Sequence, residues 1–192
     1  MRYILIQPVS QIGDEPGRFR NTFTGEEVET LDVVPIKVQK RRVLNPLEYG
    51  KPSLCASHDG LYSLAAFGDG TPTAYPLREC QTCPQFSDSE WGKNQELCAP
   101  EYLVWAYRPA AHEVVEINLR RSSYKIGGFL ALPHILGRSV IRLIAGEVMG
   151  RQGRYYQILP RPQGLLNEEE QEFIRELTEL MDVSDANLPA AV

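Results

Sequence analysis

The chain has 192 residues, of which 43% are apolar and 23% charged, with a formal net charge of -5. That balance excludes disorder throughout, and the length accommodates one sizeable core carrying an insertion. No apolar run reaches the ~20 residues that span a bilayer, and the opening MRYILI stops at Gln7 and Pro8, so neither a signal peptide nor a membrane anchor is expected.

In chain order, the first 25 residues mix Gln, Gly, Pro and Arg without sustained period and read as an extended arm or loop. From Val28 the pattern turns to strand: Val34, Ile36 and Val38 alternate with Pro35, Lys37 and Gln39, and Pro35 predicts an edge position or a bulge. Lys37, Lys40, Arg41 and Arg42 cluster at the end of this strand. Residues 45 to 101 are rich in Pro and Gly, hold all four cysteines and have too little apolar periodicity for a core of their own.

YLVWAYRP and HEVVEINL then read as two strands of a hairpin turning around Pro109. SSYKIGGFLALPHIL shifts to helical spacing, with Ser122 or Ser123 as N-cap and Pro133 as its end, although Gly127 and Gly128 weaken the helix. SVIRLIAGEVM and RYYQILP, separated by Gly150-Arg151-Gln152-Gly153, form a second hairpin signal. Asn167 and Glu170 make a capping box ahead of Phe173, Ile174, Leu177, Leu180 and Met181, which predicts a helix from about residue 168 to 182 and a loose tail after it.

The charge is unevenly spread. Residues 165 to 192 carry eight acids against Arg175 alone, whereas residues 102 to 164 carry nine bases against Glu113, Glu116 and Glu147. Such asymmetry suits a polyanion-binding body with an acidic tail, although charges that simply solvate a surface would give it too.

The cysteines stand at Cys55, Cys80, Cys83 and Cys98, a C-x24-C-x2-C-x14-C pattern. A C-x2-C turn brings two sulfurs to one ion, and two outlying cysteines complete a tetrahedral all-thiolate site, so structural zinc is expected. Its task would be to restrain the turn-rich insertion. His58 could replace one cysteine, and a thioredoxin-like redox pair at Cys80 and Cys83 competes, but that role needs a βαβ context that the flanking loop does not offer. Four cysteines without an export signal point to a reducing compartment, the cytoplasm.

The expected fold is mainly β: a five-stranded OB-like barrel over residues 1 to 164, including the zinc-binding loop insertion 45 to 101, followed by an acidic C-terminal α-helix and tail over 165 to 192. Such barrels bind single strands with a basic groove and aromatic faces. The candidates for nucleic-acid contact are Arg41, Arg42, Trp105, Tyr107, Arg120, Arg121, Arg142, Arg151, Arg154 and Tyr156. Aromatic residues on strands are more often core than stacking platforms, and Tyr155 and Tyr156 must point to opposite faces.

The FRNTFTGEEVETLDVVPIKVQKRRVL opening, the cysteine insertion, the strand ending in GRYYQILPRP and the acidic helix together give a layout that resembles phage or mobile-element single-stranded-DNA-binding proteins with a zinc-bearing OB fold. The resemblance implies coating of single-stranded DNA during replication or recombination in a host cytoplasm, with replication or recombination proteins recruited through the acidic segment. This chain departs from that pattern at its end, NLPAAV, which has no acidic-aromatic tip.

Catalysis is not expected: no phosphate-binding loop, nucleophile elbow, zinc-protease helix or dinucleotide fingerprint occurs, and His58, His112 and His134 are isolated. The competing expectation is a zinc-stabilised adaptor or inhibitor docking on a host or phage assembly, with Trp91 in the cysteine loop as an anchor.

Overall fold

The computed structural model describes residues 2–5, 16–44, 55–57, 66–68, 71–73, 98–150 and 153–186. The chain divides into two compact units: Met1–Val38 with Val104–Ile117 and Gly128–Val192, and Gln39–Leu103 with Asn118–Gly127.

In the first unit the strands follow the order β11-β10-β4-β8-β9-β1-β2-β3, where β1 is Arg2–Leu5, β2 Phe19–Asn21, β3 Glu27–Val28, β4 Thr30–Leu44, β8 Ala99–Arg108, β9 Glu113–Leu119, β10 Ser139–Gly150 and β11 Gly153–Leu165. The five strands from β11 to β9 form an antiparallel sheet. Both hairpins expected from the sequence are present, and β10 and β11 pair along nearly their whole length, from Ser139↔Leu165 to Gly150↔Gly153.

Within the stretch read as an extended arm or loop, β1 is a paired strand. It pairs parallel with β9 (Tyr3↔Ile117) and antiparallel with β2 (Leu5↔Phe19), and it also comes alongside β11. The OB-like five-stranded barrel expected from the sequence is found as a five-stranded antiparallel sheet with a C-terminal helix, and not as a closed barrel. Among the described residues no ladder joins β11 to the far end of the order, so the sheet is open.

Pro35 does not lie on an edge strand, because β4 runs between β10 and β8. The ladder with β10 ends at Val33↔Ile141, so Pro35 sits just beyond the last paired residue, where its missing N–H costs nothing, and its carbonyl accepts the Gly137 N–H at 2.7 Å. Pro160 and Pro162 lie on β11 at the end of the strand order, where prolines are tolerated, with a register shift at Val140/Ile141.

The sheet is buried on both faces. On one, Val34 and Ile36 of β4 meet Leu166 and Ile174, with Tyr107, Val114 and Val140 from the neighbouring strands and Leu177 and Met181 packed around them. Ile174, Leu177 and Met181 belong to α2, Glu168–Ala186, whose i, i+3, i+7 spacing lays one apolar stripe on four strands. Its start is the expected capping box: Asn167 N–H donates to Glu170 Oε2 at 2.8 Å, and Glu170 N–H donates to Asn167 Oδ1 at 2.9 Å. The other face buries residues of opposite parity, among them Leu31, Val33, Ile117, Ile141, Leu143 and Phe19.

The second unit holds the distal half of β4, the first half of β8, β5 (Cys55–Ser57) and a small β6–β7 ladder (Ala66–Gly68, Thr71–Thr73). β5 pairs antiparallel with the end of β4, from Arg42↔Ser57 to Leu44↔Cys55. A 3-10 turn at Arg121–Ser123 leads into α1, Tyr124–Leu130, where the helix was expected. No helix among the described residues is long and apolar enough to cross a membrane.

Candidate nucleic-acid interface

Among the described residues of the second unit there are six bases, Lys40, Arg41, Arg42, Arg120, Arg121 and Lys125, and one acid, Glu101. They come from β4, β8 and the turn that opens α1. Glu101 is only 1% exposed, and a carboxylate that deep must be compensated. Arg41 donates to its Oε1 through Nε at 2.5 Å and also through Nη2, while Arg120 Nε donates to Oε2. Arg42 Nη2 reaches the Cys98 carbonyl at 3.4 Å. Lys40 and Lys125 are exposed and make no ion pair with any described residue.

Two tyrosines stand in the same unit. The rings of Tyr102 and Tyr124 lie 4.8 Å apart between centroids and tilt by 34°. Tyr102 packs closely over Gly127 of α1: a Cβ at that glycine would fall 2.2 Å from the tyrosine Cγ. Burial pushes the Tyr102 phenol above its ordinary range, Tyr124 adds to the rise, and the Lys40 charge works against it. The unit thus combines half-buried aromatic rings with a lysine, Lys40, whose charge acts on Tyr102, and single-stranded nucleic acid sites use such rings for bases and such cations for phosphates.

The residues expected to contact nucleic acid divide between the units. Arg41, Arg42, Arg120 and Arg121 belong to the second, and the side chain of Arg121 lies outside the described residues. Trp105, Tyr107, Arg142, Arg154 and Tyr156 belong to the first, and Arg151 lies outside the described residues.

Within the first unit most of these side chains are engaged. Trp105 is half-buried with Lys37 Nζ 5.8 Å above its ring. Tyr107 is taken into the α2 cluster, edge-on to Phe173, and its hydroxyl lies 2.8 Å from His112 Nδ1. Arg142 forms a two-pronged pair with Asp32, with both bonds at 2.7 Å. Those hydrogen bonds hold the Asp32 carboxyl below its usual range, against an opposing push from burial and with help from the arginine charge. Tyr156 lies against the backbone at Gly17 (φ +87°), and its hydroxyl donates to Glu147 at 3.1 Å. Arg154, on the same hairpin, is exposed and 3.8 Å from that carboxylate.

The sequence offers Tyr102, beside Trp105 and Tyr107, as a strand aromatic, but it does not single out Tyr124, Lys40 or Lys125 as contacts or foretell the part played by Glu101. The usable signal was Glu101 itself, an acid in a strand flanked by apolar positions.

Of the four expected metal ligands, Cys80 and Cys83 lie outside the described residues. Cys55 is the register partner of Leu44 on β4, and the Cys98 carbonyl accepts a hydrogen bond from Arg42. Among the described residues there is no group of three or more His, Cys, Asp or Glu placed to hold a metal.

No family model, no curated protein and no solved structure matches the chain.

Proposed function

We propose that this protein binds single-stranded DNA without catalysis, through the basic and aromatic surface of its second unit, and that a structural zinc held by Cys55, Cys80, Cys83 and Cys98 restrains the adjoining loops. The observation that carries this reading is the half-buried Tyr102–Tyr124 ring pair, 4.8 Å between centroids, in the same unit as the exposed Lys40 and Lys125. Rings offer a surface to any base, and cations meet the phosphates between them.

The sheet supports the reading at the level of fold. An oligonucleotide-binding barrel is a partly open five-stranded Greek key, commonly with a helix between its third and fourth strands. Here β4, β8, β9, β10 and β11 follow in that sequence with α1 between β9 and β10. A role in replication or recombination, with partner proteins met through the acidic helix, belongs to the same proposal and comes from the layout resemblance to phage or mobile-element proteins.

The test is fluorescence anisotropy of zinc-replete protein with labelled oligo-dT and with a matched duplex at two salt concentrations. Tight binding to the single strand that weakens as salt rises supports the proposal, because phosphate contacts release counterions. Absence of binding to either at low salt defeats it and leaves the adaptor reading, with a protein partner as the next object of search.

A further inference from the structure

Among the described bases of the second unit, Glu101 sets Arg41 and Arg120, which pair with it, apart from Lys40 and Lys125, which do not. Its carboxylate is 1% exposed, so neither solvent nor a nucleic acid can reach it. It holds Arg41 from β4 and Arg120 from the segment after β9, residues that are far apart in the sequence and meet only through this acid. The Arg41 side chain is left 12% exposed and Arg120 38%. Lys40 and Lys125, by contrast, are exposed and without an ion pair to any described residue, one beside Tyr102 and the other next in sequence to Tyr124.

From this we infer that Glu101 is a positioning residue that withholds Arg41 and Arg120 from the bound strand, leaving phosphate contact to Lys40 and Lys125 around the Tyr102–Tyr124 pair. The inference rests on the single-strand-binding proposal and deepens it. A guanidinium that leaves a buried carboxylate for a phosphate strips one of its two oxygens of its partner, a loss that buried charges resist. A lysine on the surface moves at no such cost. The site selected this way is narrow: two ammonium groups beside two rings suit a short unpaired stretch whose affinity comes more from stacking than from charge.

The salt dependence of oligo-dT binding reads out how many phosphates are neutralised, at about 0.7 of slope per contact on a single strand. Wild type, Lys40→Gln, Lys125→Gln, Arg120→Gln and Glu101→Gln are compared on zinc-replete full-length protein, with circular dichroism confirming the fold of each. Each lysine variant is expected to flatten the slope by about 0.7, and Arg120→Gln to leave it unchanged. Glu101→Gln, by releasing the arginines, is expected to steepen it by about 0.7 or more.

A flattening by Arg120→Gln equal to that of Lys125→Gln overturns the inference while leaving single-strand binding intact. A folded Glu101→Gln with the wild-type slope overturns it too. Should Glu101→Gln fail to fold, the comparison of Arg120→Gln with the two lysine variants decides alone. Wild-type protein that does not bind oligo-dT at all overturns both this inference and the proposal beneath it.

Discussion

The ring of Tyr107 meets the ring of Phe173 edge-on, 5.3 Å between centroids, tying strand β8 to helix α2. Tyr107 was a candidate for base stacking, and this contact explains why it serves packing. It stands on the face of the sheet that α2 covers, among Val34, Ile36, Val114 and Val140. The helix is therefore an integral part of its unit, and among the described side chains its acids, from Glu168 to Glu179, are exposed.

The first prediction concerns that packing. Ile174 is 2% exposed at the centre of the cluster, so Ile174→Ala should destabilise the protein by about 2–5 kcal/mol, from lost transfer energy plus the cavity left behind. Phe173→Ala, at a side chain 47% exposed, should cost less. Urea unfolding of both variants checks the order.

How much of this could be read from the chain depends on the range of the interactions. The capping box at Asn167 and Glu170 and the hairpin at Gly150–Gly153 are local, and both stand where expected. β1 was missed because a short strand gains its stability from a distant partner, β9, and leaves no periodic trace of its own. The basic cluster at Lys40 to Arg42 was visible, but its division was not. Only the pairing of β4 beside β8 shows that Arg41 turns to Glu101, 60 residues away.

The second prediction sets two magnitudes against each other. Gly127 lies within α1, where replacing glycine by alanine would ordinarily gain up to about 1 kcal/mol of helix propensity. The new Cβ, however, would fall 2.2 to 2.5 Å from Cγ, Cδ2 and Cβ of Tyr102, atoms too near the backbone to swing aside. Overpacking of this kind costs about 1–3 kcal/mol, so Gly127→Ala should lower the melting temperature. Gly128→Ala, with nothing within 4 Å of its Cβ, should be neutral or stabilising.

The third prediction follows from the pairing of Asp32 with Arg142. The arginine holds the Asp32 pKa below its unfolded value, so the pair's contribution to stability is present at neutral pH and is lost as pH falls through the folded-state pKa, below about 4. Both side chains are more than a third exposed, so the contribution is small and screened by salt. A double-mutant cycle with Asp32→Asn and Arg142→Gln should show favourable coupling at pH 7 that shrinks as Asp32 is protonated in acid, and in high salt.

The fourth prediction tests the metal. Zinc analysis of protein purified without chelator should find about one zinc per chain. If Cys55 and Cys98 are two of the four ligands, Cys55→Ser and Cys98→Ser should each release it. Loss of zinc from one variant with full retention in the other would show that these two cysteines do not share an ion.

The last prediction separates stacking from charge. If bases lie against the Tyr102–Tyr124 pair, Tyr124→Ala should weaken oligo-dT binding by about 1–3 kcal/mol, the contribution of one stacked base. An uncharged ring releases no counterions, so the salt slope should stay at the wild-type value even as affinity drops. Tyr124→Phe should retain most of the affinity, since the ring face is kept. The same loss in both variants would assign the effect to the hydroxyl and would remove stacking at this position from the account of binding.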